Sequence, residues 1–307
     1  MILITGAAGF IGSNLSNYFN QLGFETVTID NLSTGIESNI PPETLYINGD
    51  CSDDKTLSKL DSYSIEGIIH IAGQSSAEIS FAEPSIDLNS NLLSTLKLLE
   101  YARKKGIKKF VYASSMAVYG EVNDLPVSES HDTIPKSFYG ISKLSSESYL
   151  RLYSQFGIEI TVLRFFNVYG PGQNLHNMKQ GMLSIYLAQA FLQKKVTVKG
   201  SSGRFRDFIY IRDVIEAIKL SYFKNTGIYN VFNVCCGRKT TVHDLILLLT
   251  IKLDIDFPVK YVDGTPGDQY GIYGDYSLIN TKLNWSPKTN LEAGIEETIE
   301  WLKSIYP

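Results

Sequence analysis

The stretch that decides the fold is residues 1–14, "MILITGAAGFIGSN". Residues 1–5 form a short apolar and β-branched run without alternation, the pattern of a strand buried on both faces. Gly6, Gly9 and Gly12 follow at G-x-x-G-x-x-G spacing, and "FIGSNLSNYFNQLG" then takes up a helical period that stops at Gly23. Glycines at such a junction let the chain turn tightly and bring backbone N–H groups, at the positive end of a helix, up to a pyrophosphate. A glycine-rich turn alone is a weak signal, so the next strand matters. "ETVTID" ends in Asp30, 18 residues after Gly12, where a carboxylate can accept from both hydroxyls of an adenosine ribose. A 2′-phosphate would meet a like charge there with no arginine nearby in sequence, so the pattern predicts NAD rather than NADP.

Outward from that turn the chain alternates. "TLYING", "EGIIHIAG", "KKFVYASS" and "EITVLRFFN" read as further strands, and "DLNSNLLSTLKLLEYARKKG" and "FYGISKLSSESYLRLYSQFG" as long amphipathic helices. Strands alternating with helices predict an α/β fold, a Rossmann-type doubly wound parallel sheet. Beyond about residue 170 the rhythm loosens into a helix over 178–193, short strands and loops, the strand "GIYNVFNV", and two late helices, "TVHDLILLLTIKL" and "LEAGIEETIEWLKSIY". The expected organisation is a dinucleotide-binding domain over 1–170, with 205–235 returning to its sheet, and a smaller substrate-binding lobe over 171–307.

Composition narrows the classes. The 307 residues are 44% hydrophobic and 20% charged, with a formal net charge of −4. No long basic tract is present, which argues against a nucleic-acid partner. No apolar run reaches the roughly 20 residues of a membrane span, and "MILIT" has no basic region before it. Cys51, Cys235 and Cys236 lack metal-ligand spacing and read as reduced thiols, so a cytoplasmic protein without a bound metal is expected.

The candidate chemistry lies in "SFYGISKLSSE", with Tyr139 and Lys143 four apart on one helix face. Among 19 tyrosines this spacing is not rare, and "EYARKKG" supplies a second copy, Tyr101 and Lys105. Topology separates them. Ligands of such sheets bind beyond the carboxyl ends of the strands. Ser114 and Ser115 end the fifth strand, and Tyr139 and Lys143 begin the helix near that edge. Tyr101 and Lys105 finish a helix running away from it. A phenol with an ordinary pKa of about 10 needs help to act as a base, and a nearby ammonium with a bound nicotinamide's charge would favour the phenolate. Ser115 can then relay or stabilise the proton of the reacting hydroxyl. In "NGDCSD", Asp50 could accept from an adenine amino group with Cys51 giving a backbone donor, or Asp50 could simply cap the next helix.

These residues resemble the extended short-chain dehydrogenase/reductase family, and within it the nucleotide-sugar epimerase branch of which UDP-galactose 4-epimerase is typical. The likeness runs in order through "TGAAGFIGS", "TIDNLSTG", "NGD", "HIAGQ", "NSNLLSTLKLLE", "SSMAVYG", "YGISK", "LRFFNVYGPGQ", "RFRDFIYIRDV" and "PGDQYGIYGD". It implies Ser115, Tyr139 and Lys143 as the catalytic set, with Tyr139 and Lys143 also touching NAD. It implies Phe10 and Ile11 inside the glycine turn, Asn31 beside Asp30, Ala72 and Gly73 under the pyrophosphate, and Asn91 near the dinucleotide. For a UDP-sugar it implies Ser76 and Ser115 near the sugar, Asn167 and Arg206 at the diphosphate, Asp268 at the ribose, and Thr197 and Lys199 at the base, mainly through backbone groups. A guanidinium suits a diphosphate because its fork can bond two oxygens at once. A homodimer through the two long sheet-flanking helices is implied as well.

The chain departs from the pattern in places. Thr265 stands where an arginine often precedes the acid matching Asp268, so Lys199, where an aromatic is usual, would replace that charge. Gln74, Ser75 and Ser76 do not reproduce the residues beside the sugar. Ile272 occupies the position that limits room for a bulky 2-substituent, and leaves both plain and N-acetylated hexoses open. The resemblance implies C4 epimerisation through a 4-keto sugar, with Tyr139 taking the 4-hydroxyl proton. A 4,6-dehydratase would need an acid and a base just after the fifth-strand serine, where Met116 and Ala117 can transfer no proton. A 4-keto-sugar reductase would use the same Ser/Tyr/Lys set. A non-catalytic NAD-sensing protein would have no use for it.

Overall fold

In the computed structural model, which describes residues 1–264 and 269–306, the order of elements follows the sequence rhythm. The first half runs β1 (Ile2–Thr5), α1 (Phe10–Gln21), β2 (Thr26–Asp30), β3 (Leu45–Asn48), α2 (Asp54–Ser58), β4 (Gly67–His70), α3 (Ala77–Ala82), α4 (Pro84–Leu88), α5 (Ser94–Lys105), β5 (Lys109–Ser115), α6 (Phe138–Ser154) and β6 (Glu159–Phe165). The second half adds β7 (Asn167–Tyr169), α7 (Met182–Ala188), β8 (Val196–Lys199), β9 (Phe205–Arg206), β10 (Phe208–Tyr210), α8 (Ile211–Phe223), β11 (Tyr229–Val234), β12 (Thr240–Thr241), α9 (Val242–Leu253), β13 (Val259–Val262), α10 (Ser277–Leu283) and α11 (Leu291–Ile305).

Seven strands form one parallel sheet in the order β11-β6-β5-β4-β1-β2-β3. The order reverses at β1 and β4, and the crevice beyond their carboxyl ends is where such sheets take ligands. Both faces of the central strands are covered, and β1, β2 and β4 are buried along their whole length, β2 even at Thr26 and Thr28. Alternate residues serve opposite cores: Ile2 and Ile4 pack with Leu15 and Phe19 of α1 and with Ile215 and Ile218 of α8, whereas Leu3 packs with Leu98 and Leu99 of α5 and Leu150 of α6. The first core continues into the C-terminal lobe through Leu187, Val198, Leu249 and Trp285, so the smaller lobe is joined to the sheet by apolar packing. That lobe is built from the pairs β7/β10, β8/β13 and β9/β12 with α7, α9, α10 and α11, so of the stretch 205–235 expected to return to the main sheet only β11 joins it, β9 and β10 pairing with β12 and β7 instead.

Two helices differ from expectation. The helix expected over 178–193 begins only at Met182. Asn174 and Asn177 accept from the backbone of His176 and Lys179, and these Asx turns use up the residues of the missing turn. It then runs through a π-helical stretch, Gln189–Gln193. Where short strands and loops were expected, Ile211–Phe223 forms α8, with Ile211, Val214, Ile215 and Ile218 buried at helical spacing. Among the described residues no helix is long and apolar enough to cross a membrane, and no three metal-ligating side chains cluster. The three cysteines are free thiols, Cys51 and Cys235 buried.

Candidate active site

The glycine turn works through close approach. Gly6 has φ +76°, and a Cβ there would lie 2.8 Å from the Ala72 nitrogen. A Cβ at Gly12 would overlap the Gly6 carbonyl, so only glycine lets α1 start this close to β1. Behind the turn, the Thr5 hydroxyl accepts from the Ile71 and Ala72 N–H groups at 3.1 Å each. Its own proton must therefore go to His70 Nδ1, 2.7 Å away, which puts the ring hydrogen on Nε2 facing Thr95 at 3.1 Å. Burial holds His70 far down, at about 3, so it stays neutral. Thr5 and His70 thus fix the segment that carries Ala72 and Gly73.

A cavity of about 1000 Å³ opens over the sheet edge. Gly6, Gly9, Phe10, Ile11, Gly12, Asp30, Asn31, Asp50, Cys51, Ala72 and Gly73 line it, together with Ser115, Tyr139, Lys143, Asn167, Thr197, Lys199 and Arg206. Asp30 is buried, with Oδ2 accepting from the Ala8 N–H at 2.9 Å and Oδ1 from the Leu32 N–H at 2.8 Å. Those donors hold the carboxylate at the cavity wall, and each oxygen retains acceptor capacity. Asp50 accepts from Asn31 Nδ2 at 2.7 Å and from Ser52, while the cap of α2 is Asp53. The capping alternative for Asp50 is thereby excluded.

Other expected residues sit elsewhere. Ser76 is buried, and its hydroxyl accepts from the Ile79 N–H as the cap of α3, so it does not line the cavity. Asn91 lies in a π-helical turn, Asn89–Leu93, one layer behind the wall. Its Nδ2 donates to the Gln74 carbonyl at 2.9 Å and to Asp87, while buried Oδ1 has no hydrogen-bond partner and lies against Gly73. The Thr197 N–H already donates to Gln189 Oε1 at 2.7 Å, which takes up the backbone donor expected to face a base. Ile272 is fully buried with Val118, Tyr119, Phe166 and Cys235 and is absent from the cavity lining. Asp268 and Thr265 lie outside the described residues.

Ser115, Tyr139 and Lys143 come together. The Ser115 hydroxyl accepts from the Ala117 N–H at 3.2 Å and lies near enough to the Tyr139 phenol to favour its ionised form. Burial pushes the phenol up to about 12; the neighbouring Ser115 hydroxyl opposes that rise, and the Asp87 charge adds to it. In the absence of the nicotinamide charge on which the expected phenolate also depends, desolvation outweighs the influence of Ser115. Lys143 is 4% exposed and pulled down to about 8 by burial, against the charges of Asp87 and Glu147. Its ammonium donates to the Ala113 carbonyl at 2.9 Å and lies 4.8 Å from the Tyr112 ring centroid and 5.9 Å from that of Tyr139.

Across the cavity two arginines stand on one side of the 204–206 segment, as i and i+2 residues in extended chain must. Arg206, the expected one, donates to the carbonyls of Phe205 and Gln269, and burial with the neighbouring Arg204 charge pulls it down to about 10. Arg204 was missed, although "RFR" in a strand already places the two guanidinia together. Lys199, expected to replace a missing charge at the diphosphate, instead pairs with Glu78 at 2.8 Å, and Gln180 donates to the Ser75 hydroxyl at 2.6 Å. Both contacts bridge the two sides of the cleft. Gln74, Met116, Ala117 and Gln189 also line the cavity.

The geometry suits a dinucleotide: a glycine–alanine turn with no bulky side chain at a helix start, a carboxylate held by backbone donors, and an orphaned Asn91 oxygen behind Gly73.

Known proteins of this architecture agree along the whole chain. The chain is 36% identical over 309 residues to a putative UDP-glucose 4-epimerase of Methanocaldococcus jannaschii, covering 99% of each. It superposes on the UDP-glucose 4-epimerase of Thermotoga maritima, solved with UDP-glucose, at a TM-score of 0.96 and 34% identity, covering 100% of this chain and 99% of that one. The UDP-glucose 4-epimerase of Thermus thermophilus, solved with NAD, gives 0.93 and 31%, with 98% of each chain covered. Residues 2–235 match the model of the NAD dependent epimerase/dehydratase family, and the chain belongs to that family.

Proposed function

We propose that this chain is an isomerase that epimerises C4 of a UDP-activated hexose, glucose and galactose or their N-acetyl forms, through a 4-keto intermediate, with NAD as resident cofactor. The observation that carries the reading is the Tyr139 phenol with Ser115 and Lys143 in the same cavity that Asp30 and two guanidinia line. The T. maritima and T. thermophilus structures, solved with UDP-glucose and with NAD, support it. NAD, when bound, supplies a hydride acceptor at C4 and a positive charge beside the phenol.

Tyr139 takes the proton of the sugar 4-hydroxyl and later returns it, and Ser115 steadies that proton between them. Lys143 presents its ammonium at the wall beside Gly73, where a ribose hydroxyl can accept from it. Arg206 and Arg204 hold the diphosphate, which leaves the sugar free to turn. Met116 and Ala117 line the cavity next to Ser115 without a proton to give, which disfavours dehydration.

The test is to purify the chain, measure retained dinucleotide, and offer UDP-glucose, UDP-galactose and the N-acetyl pair with product chromatography. Interconversion without added NAD is expected. Accumulated keto sugar would favour a dehydratase, consumption of reduced cofactor with a keto sugar a reductase, and inert protein with bound NAD a sensor.

We also infer a homodimer. Phe138, Ile141, Tyr149 and Leu152 are exposed along α6, next to Phe81, Ile86 and Leu88 of α3 and α4. An apolar stripe of this kind on a sheet-flanking helix is an interaction surface. Leu152→Glu should turn a dimer into a monomer in sedimentation.

A further inference from the structure

We propose that Asp87 is a positioning residue for the proposed Tyr139–Lys143 pair, its buried carboxylate holding the wall behind the cavity and keeping Lys143 an ammonium. Asp87 lies in the last turn of α4 and is 0% exposed. Oδ1 accepts from Gln74 Nε2 at 2.9 Å and Asn91 Nδ2 at 3.1 Å, and Oδ2 from the Ser142 hydroxyl at 2.5 Å. The three donors come from the loop after β4, the π-helical turn and α6. They are all neutral, so the hydrogen bonds satisfy the oxygens without a formal counter-charge, and burial raises the Asp87 carboxyl above its ordinary value, against the pull of these donors and of Lys143. A buried charge without a cation is costly, and structures keep one only where a counter-charge is near.

The cation on hand is Lys143, the residue after Ser142; it makes no direct ion pair with Asp87, but its ammonium and the Asn91 amide that donates to Asp87 both lie against Gly73. The titratable and charged groups facing Lys143 are Asp87 from α4, Glu147 and Tyr139 from its own helix, Tyr112 from β5 and His70 from β4. His70 is neutral, and Tyr112 offers its ring. Glu147 is already bound to Arg164, Oε1 to Nε at 3.1 Å and Oε2 to Nη2 at 2.6 Å, and it also accepts from Ser114 at 2.5 Å. Its charge is spent on a guanidinium. Asp87 remains, and it is the strongest influence opposing the burial that brings Lys143 down to about 8. The same charge also raises the Tyr139 phenol. Asp87 therefore moves both members of the pair to higher pH, keeping the lysine charged at neutrality.

Removing the charge should let burial win. With NAD bound to the 307-residue chain, ¹³Cε-labelled lysine reports the Lys143 titration, assigned by its loss in Lys143→Arg. Asp87→Asn should lower the midpoint by about one pH unit or more, and Asp87→Glu should restore most of the shift. An unchanged midpoint in Asp87→Asn would overturn the proposal. Should that variant not fold, the Asp87 carboxyl carbon of the unaltered chain decides: ionised at pH 7 supports the assignment, protonated overturns it. The inference rests on Lys143 serving the proposed site, but neither readout needs turnover. Failure to epimerise UDP-glucose would sink the functional reading while the midpoint still decides this one.

Discussion

The chain carries Tyr-x-x-x-Lys twice, and the two copies show how little of a motif lies in its letters. Tyr101 and Tyr139 are both pushed up to about 12 by burial. At Tyr101 the next influence is Asp61, which raises the phenol further; at Tyr139 it is Ser115, which lowers it. Lys105 sits 5.8 Å over the Tyr101 ring and pairs with exposed Asp61 at 2.9 Å. Lys143 is buried on the Ala113 carbonyl against the Tyr112 ring. Neither Tyr101 nor Lys105 lines the cavity. The same spacing gives a surface-anchored pair at the end of α5 and a cavity-facing pair at the start of α6.

The largest way to break that contrast is to remove each phenol oxygen. Tyr139→Phe should cost on the order of a thousandfold in UDP-sugar turnover, the range of a lost general base, with NAD retention little changed. Tyr101→Phe should stay within about twofold of the starting chain, because activity does not pass through the outer layer. Comparable losses in both would dissolve the distinction. Replacing the lysines comes next. Lys143→Ala should reduce turnover by about a hundredfold and weaken NAD retention on gel filtration, since it removes the ammonium beside Gly73. Lys105→Ala should do neither.

Much of this was legible before any coordinates. The sheet could be read because its central strands β1 and β4 are buried on both faces and largely apolar, and the glycine turn because only glycine tolerates the contact with Ala72. Choosing Tyr139 needed only the direction of α6 relative to the strand ends. What could not be read depended on contacts distant in sequence. Ser76 looked like a sugar ligand, but its hydroxyl was claimed by the local cap of α3. Lys199 looked like a phosphate ligand until the fold set Glu78 within 2.8 Å. The high phenol came from desolvation, which no spacing encodes. Helix α8 and the arginine pair were different failures: their periods, 3.6 and 2, were present in "IRDVIEAIKLSYF" and "RFR" and were passed over.

Burial of Lys143 also predicts a pH dependence. Its folded-state pKa, about 8, lies below the ordinary lysine value of about 10.4. Between those values the unfolded chain binds one proton more than the native chain, so this group makes stability rise with pH, and its penalty is fully present below about pH 8. Urea unfolding of the starting chain and of Lys143→Met, without dinucleotide, isolates the contribution. The gap between the two should move in favour of the starting chain by about 1.4 kcal/mol per pH unit from pH 8 to pH 10. Parallel curves would mean that water reaches the ammonium in the free protein.

The smallest effect belongs to the other lysine. The Lys105 and Asp61 side chains are 34% and 50% exposed, and water screens their ion pair at 2.9 Å. Holding two such side chains in one geometry costs entropy that offsets most of the Coulomb gain. Lys105→Ala should therefore shift the unfolding free energy by less than about 0.5 kcal/mol, measured in urea at neutral pH. The buried Tyr101 ring stays packed whether or not the ammonium lies over it. A shift well above about 1 kcal/mol would show that the pair at the end of α5 anchors that helix to the short helical turn Lys59–Ser62, which carries Asp61. The second motif would then have a structural task to set beside the chemical one of the first.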